Sequence, residues 1–453
     1  MKNVHPHGPG MKRRAFLQKS SIGVVGMISP LLLRAQQTTD PASEKRPNIL
    51  FIMTDQQYAG AMSNAGNRDL HTPSMDLLAH RGVSFTKAYC TNPICVPSRT
   101  SLITGRMPHA TTVTFNTDEH EIAASPLSPL MKAHGYATGY VGKWHIPHDA
   151  TDTTWHGFDF VAHARGNRLD NDVPGSVEEF LQQERDKPFF LVASFVNPHD
   201  ICEWARQASG IKDPLPNGPI PAPPPPEECP SLPFNHAIAE DEPSVIREHQ
   251  KKLPRAYPVR DWDADTWRQY RWAYNRLTEK VDGQIGQILD SLKRSGQWDN
   301  TVIVFTSDHG DGLGAHAWNQ KTLFYEEVSR IPLIVTDLRK TTSERKDTAH
   351  LVSMNIDLFP TFFDYAGIQP PQDLPGISLR PIVEERAAAP SHPFIISQSD
   401  LHTGYGSSGG VYGRMVRTQQ YKYVVYSEGE NREQLFDLEQ DPGEMVNLAR
   451  AAS

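Results

Sequence analysis

The chain has 453 residues and a formal net charge of −8, with 38% hydrophobic and 22% charged side chains. Its acids are spread along the sequence and no basic face builds up, which excludes a general nucleic-acid binder. The length suits one large α/β domain plus a smaller one, and no run beyond the first 35 residues is apolar enough for stable membrane insertion.

Residues 1–35 differ in texture from the rest. Lys12-Arg13-Arg14-Ala15-Phe16-Leu17 precedes a mildly apolar run from Ile22 to Leu33, too short to span a bilayer as a mature helix, and Ala35 offers a small residue for cleavage. This pattern predicts a signal for export to the periplasm or beyond. The paired arginines resemble the twin-arginine type, which carries folded proteins. A disordered basic tail would leave the apolar run unexplained.

Asn48 to Thr54 is apolar on both faces, as a buried central strand of a parallel sheet requires. Thr72-Pro73 opens a helix that Gly82 closes. Val83 to Tyr89 then reads as strand, Leu127 to His134 as helix, Tyr136 to Gly142 as strand, Val177 to Gln183 as helix and Pro188 to Phe195 as buried strand. Ten prolines between residues 214 and 233 mark a long surface loop. From about Ala264 to Ser295, Tyr270, Tyr274, Leu277, Val281, Ile285 and Ile288 recur at helical spacing, and Thr301 to Thr306 follows as another buried strand. The alternation predicts a large, mostly parallel sheet sandwiched by helices over residues 46–375. Phe394 to Gln398, Gly413 to Thr418 and Tyr421 to Tyr426 predict a small antiparallel sheet in a C-terminal α+β subdomain, residues 376–453. Four cysteines are too few for a disulfide scaffold, but the separation of Cys202 and Cys229 includes most of the proline-rich loop, and they are the pair an oxidising compartment would join.

Polar clusters follow the strands: Asp55-Gln56, Cys95-Val96-Pro97-Ser98-Arg99, Lys143-Trp144-His145, Asn197-Pro198-His199-Asp200, and Asp308-His309-Gly310 with His316 and Lys321 beyond. Singly, each is an ordinary turn or loop. In a parallel sheet the strand ends share one edge, so together they predict a site. Trp204, with Glu203 and Arg206, suits either a sugar subsite or the core.

Cys95-Val96-Pro97-Ser98-Arg99, continued by Thr100-Ser101-Leu102-Ile103-Thr104-Gly105-Arg106, resembles the signature of type I sulfatases of the alkaline phosphatase-like superfamily. Asp357-Leu358-Phe359-Pro360-Thr361, Leu435-Phe436-Asp437-Leu438 and Asp441-Pro442 match as well, so the resemblance spans residues 46–449. It implies a hydrolase of sulfate esters, most often on sulfated small molecules or polysaccharide fragments, and a maturation enzyme that oxidises Cys95 to formylglycine. The hydrated aldehyde is a gem-diol: one oxygen attacks sulfur, and loss of the other oxygen's proton expels sulfate, so turnover needs no second attack by water. The resemblance further implies one Ca²⁺ held by Asp55, Gln56, Asp308 and His309 next to residue 95. Gln56 stands where the family often has an aspartate, which removes one negative charge. Arg99 would steady the diol, and Lys143 and Lys321 would bind sulfate oxygens. His145 would take the diol proton, and His199 would bind sulfate or protonate the leaving oxygen. A one-metal phosphonate hydrolase of the same superfamily and an inert glycan-binding relative are the competing readings.

Overall fold

A computed structural model describes residues 45–116, 122–162, 169–341, 343–387, 389–402 and 410–450. The signal expected over residues 1–35 lies outside them. The strand Asn48–Asp55 is buried along its whole length because it runs through the middle of an eight-stranded sheet. Edge to edge, the order is Phe160–Ala162, Ala137–Gly142, Phe189–Pro198, Asn48–Asp55, Thr301–Ser307, Leu333–Asp337, Val83–Phe85 and Arg345–Asp347. The five strands from Phe160–Ala162 to Thr301–Ser307 are parallel, whereas Leu333–Asp337 runs against both its neighbours.

Side chains alternate across the central strand. Ile49, Phe51 and Met53 enter one core with Phe190, Val192 and Phe362, while Leu50 and Ile52 enter the other with Ile285, Ile288 and Phe305. The long helix Ala264–Arg294 covers this second face, and its amino end is capped by Asp263, whose carboxylate accepts from Thr266 N at 2.9 Å. No helix among the described residues is long and apolar enough to cross a membrane.

Four expectations need adjusting. The stretch from Val83 to Tyr89 is two strands, Val83–Phe85 in the large sheet and Ala88–Tyr89 paired with Val352–Ser353, because Thr86 turns to bond the Asp347 carbonyl through both N–H and Oγ1. The helix expected from Val177 begins at Leu169 and takes in Pro174; its first turn holds Asp170 and Asp172, which suit a helix amino end and hide the start from an apolar pattern. The C-terminal antiparallel sheet has a fourth strand, Glu433–Asp437, beside Ile395–His402, Gly410–Arg417 and Tyr421–Tyr426. Cys202 and Cys229 do not pair: all four cysteines are free. The helix Ile201–Ala208 turns Cys202 inward against the Gln56 amide at 3.3 Å, whereas Cys229 Sγ faces the Pro224 carbonyl.

Asp357, on the helix Met354–Ala366, ties that helix to the approach to the C-terminal sheet. Its buried carboxylate accepts from Ser353 N, Ile377 N and His392 Nε2, the last at 2.9 Å. Burial lifts the Asp357 pKa, while the hydrogen bond to Asp357 raises that of His392. A raised histidine pKa stabilises the fold fully below the unfolded value of about 6.5 and loses that contribution as pH rises through the folded value. Replacing His392 by Gln is therefore expected to cost on the order of 1 kcal/mol more at pH 5.5 than at pH 9, read from urea unfolding at both pH values. Equal losses at the two pH values would show that the pair is not charged.

Candidate active site

The site is assembled at the carboxyl edge of four adjacent parallel strands. Asp55 ends the central strand, Asp308 and His309 follow Thr301–Ser307, Lys143 follows Ala137–Gly142, and His199 follows Phe189–Pro198. The fifth contributor is the helix Cys95–Thr104, all ten of whose residues are buried. Asn116 Oδ1 accepts from Val96 N at 2.9 Å in its first turn, and Gly105, with φ of 65°, closes it. Arg99 lies one turn after Cys95 and so points the same way.

Asp55, Cys95, Asp308 and His309 each offer one ligand atom, and these atoms lie within 4.8 Å of one another. Arg99 spans the two carboxylates, with Nε donating to Asp308 Oδ2 at 2.7 Å and an Nη to Asp55 Oδ2 at 3.1 Å. Its other Nη donates to the Lys143 carbonyl and Ser194 Oγ. Lys143 Nζ reaches Asp55 Oδ2 at 2.5 Å, and Lys321 Nζ lies 3.0 Å from Cys95 Sγ and 3.1 Å from Gln56 Oε1. His309 Nδ1 lies 2.9 Å from the Gly310 carbonyl, which fixes the tautomer and turns Nε2 to Cys95 Sγ at 3.2 Å.

The electrostatics follow from this packing. Burial and Asp55 oppose ionisation of Cys95, yet Lys321, Lys143 and His309 hold its thiol well below the usual value. Asp55 is held low against its burial by the charges of Lys143, Arg99 and Lys321, whereas burial and the Asp55 charge lift Asp308 to about 6. Lys321 and His309 are both raised despite burial, Lys321 chiefly by Cys95 and His309 chiefly by Asp308. Burial, Lys321 and Lys143 push His199 well down, so its ring is neutral. His145 stands at the solvent-open rim with φ of 48°; crowding of its ring lowers its pKa against a hydrogen bond to Cys95.

The ten residues given roles at the site from the sequence thus lie in one place, whereas an eleventh, His316, sits instead with Glu327 and Glu444. Trp204 belongs to packing: it meets Trp262 edge-on at 6.3 Å and leans on Tyr270, and Arg206 is engaged by Glu203 and Asp213. Sequence reasoning missed Asp311, which is fully buried and accepts from Gln56 Nε2, Tyr270 OH, Leu313 N and Gln320 N. Its only signal was its position three residues after Asp308.

The donor set fits a divalent cation: two carboxylates, an oriented imidazole nitrogen and the Gln56 carbonyl oxygen close by. Because Arg99 compensates two buried carboxylates, Arg99→Ala is expected to cost about 3–5 kcal/mol in metal-free buffer. Denaturant unfolding measures this, and a loss below about 1 kcal/mol would show that the carboxylates are compensated otherwise.

The sulfatase family profile matches residues 47–368, and that for the N-sulphoglucosamine sulphohydrolase C-terminal region matches residues 314–453. A delta 4,5-hexuronate-2-O-sulfatase of Bacteroides thetaiotaomicron is 30% identical over 434 residues, covering 90% of this chain and 85% of its own. An N-acetylglucosamine-6-O-sulfatase of the same organism is 28% identical, covering 89% and 83%. The solved structure of a 2-O GAG sulfatase superposes with a TM-score of 0.78 at 30% identity, covering 90% of this chain and 88% of that one. With these matches running through the strand ends that gather Cys95, its cations and its carboxylates, the chain belongs to the sulfatase family and is a sulfuric ester hydrolase.

Proposed function

We propose that the enzyme removes sulfate from sulfated glycans, using formylglycine made from Cys95 and one Ca²⁺ held by Asp55, Gln56, Asp308 and His309. The observation that carries this reading is the position of Cys95: buried at a helix amino end, 3.0 Å from a lysine ammonium and within 4.8 Å of three ligand side chains. The sulfatases of known substrate named above act on hexuronate and N-acetylglucosamine, which supports a glycan. Formylglycine would supply the hydrated carbon whose oxygen attacks sulfur, and the cation would lower the pKa of that oxygen and neutralise sulfate charge.

The chain's own groups divide the remaining work. Lys143 and Lys321 meet the sulfate oxygens, and both are held in place by contacts to Asp55, Gln56 and Cys95. Arg99, locked by four hydrogen bonds, fixes the helix turn that carries residue 95. His145, close to Cys95, takes the proton whose loss releases sulfate; His199, neutral and beside the lysines, binds a sulfate oxygen or serves the leaving oxygen.

Two outcomes test the reading. Cys95→Ala is expected to abolish cleavage of sulfated oligosaccharides and p-nitrophenyl sulfate without changing the circular dichroism spectrum, and chelation followed by Ca²⁺ is expected to remove and restore wild-type turnover. Near wild-type activity in the alanine variant would sink the mechanism. The second concerns export. Cys95 is 0% exposed, so a modifying enzyme must act before the core closes. If the twin-arginine signal carries the folded chain, replacing Arg13 and Arg14 by lysine traps protein that already contains formylglycine. Trapped protein with unmodified Cys95, by mass spectrometry of that peptide, would place maturation after export.

A further inference from the structure

A second group of buried ligand-type side chains lies apart from the one around Cys95. His316, Glu327 and Glu444 each offer one atom, and these atoms lie within 4.8 Å of one another. They arrive on three separate elements: the loop Ala315–Ala317, the helix Glu326–Ser329, and the segment after the C-terminal sheet. Asn235, at the end of the proline-rich loop, joins them: its Nδ2 donates to Glu327 Oε1 at 3.0 Å and its carbonyl accepts from His316 N at 2.7 Å.

What marks this cluster is the set of polar atoms left over. The His316 ring is fully buried, stacked on Tyr325 at 3.7 Å, and neither of its nitrogens has a hydrogen-bond partner of good geometry. Glu327 Oε2 and Asn235 Oδ1 are buried and unpartnered as well. Burial drives the His316 pKa down to about 3 against the nearby Gly443 backbone, so the ring is neutral and keeps a lone pair. The nearby Lys422 ammonium is already shared between Glu326 at 2.8 Å and Glu444 at 2.7 Å, and the Arg247 guanidinium is spent on Glu242 and the His316 carbonyl. A proton shared between Glu327 and Glu444 would relieve the carboxylates, yet it would leave His316 and Asn235 without partners, each at a cost of about 1–3 kcal/mol. A single cation answers the imidazole and both carboxylates together.

We propose that His316, Glu327 and Glu444, with Asn235 orienting Glu327, bind a divalent transition-metal ion of the Zn²⁺ or Mn²⁺ class. Imidazole nitrogen combined with carboxylate oxygen favours these ions over Ca²⁺, and bonds of about 2.0–2.2 Å would draw the three ligand atoms closer together. The ion is structural: it fastens the end of the proline-rich loop and the C-terminal segment to the turn that follows the catalytic Asp308.

The test uses the full chain, stripped of metal and re-equilibrated with Zn²⁺ or Mn²⁺ in excess Ca²⁺. Retained metal is measured by elemental analysis and thermal unfolding is recorded alongside. Wild type is expected to hold about one transition-metal equivalent more than Glu327→Gln and to melt several degrees higher with the metal than without it. Glu327→Gln keeps its shape and the Asn235 bond, so it remains usable if His316→Gln does not fold. Equal metal retention by wild type and Glu327→Gln overturns the proposal. So does a wild-type melting temperature that ignores both metals but titrates near neutral pH, since that is the behaviour of a shared proton.

Discussion

Arg99 between Asp55 and Asp308 is the interaction on which the site depends. Two carboxylates with no exposure, on the ends of neighbouring strands, repel each other in a medium that screens poorly. The guanidinium bridges them with a geometry that a lysine could not reproduce. Because Arg99 and Cys95 are one turn apart on the same helix, the group that neutralises the carboxylates and the cysteine beside them form one unit. Any shift of the helix breaks the charge balance, so the position of residue 95 is fixed by electrostatics as well as packing.

The sheet converts sequence distance into spatial order. Ala137–Gly142, Phe189–Pro198, Asn48–Asp55 and Thr301–Ser307 are consecutive in the sheet, and they deliver Lys143, His199, Asp55 and Asp308 in that order along one edge. Strand spacing of about 4.8 Å then sets the spread of the cluster. Parallel pairing is what places all four on the same edge; the antiparallel Leu333–Asp337, on the far side of Thr301–Ser307, adds no member.

Legibility in the sequence tracked how local the signal was. The strand from Asn48 and the long helix from Ala264 were readable because burial on two faces and a one-sided apolar stripe leave direct patterns. The turn at Thr86 was not, since only the distant Asp347 carbonyl defines it. Cys95, Arg99 and the strand-end acids were readable from spacing and motif. Cys202 misled because its place before a proline-rich loop says nothing of the direction a thiol faces, and the two readings left open for Trp204 could be separated only by ring partners, Trp262 and Tyr270, some sixty residues later in the chain. His316 shows the same limit: proximity in sequence to Asp308 suggested one site, while the loop carries it to Glu327 and Glu444.

Gln56 shows how a missing charge is handled. Its φ of 68° is a left-handed conformation that costs a non-glycine residue about 1 kcal/mol. The backbone is held there at both ends, by its N–H on Asp308 Oδ1 at 3.1 Å and by Tyr274 OH on its carbonyl at 2.7 Å. The side-chain amide then donates to Asp311 at 2.8 Å, and Asp311 is itself buried and held by Tyr270. An amide whose N–H meets a carboxylate gains electron density on its oxygen, the atom that faces Lys321. The negative charge that a second aspartate would bring to the cation site is thus moved one residue outward, to Asp311, and reaches the site through the Gln56 amide. A carboxylate at position 56 would face Asp311 directly, with no donor between the two. Glutamine there and aspartate at 311 are therefore one arrangement, and each residue makes sense only with the other in place.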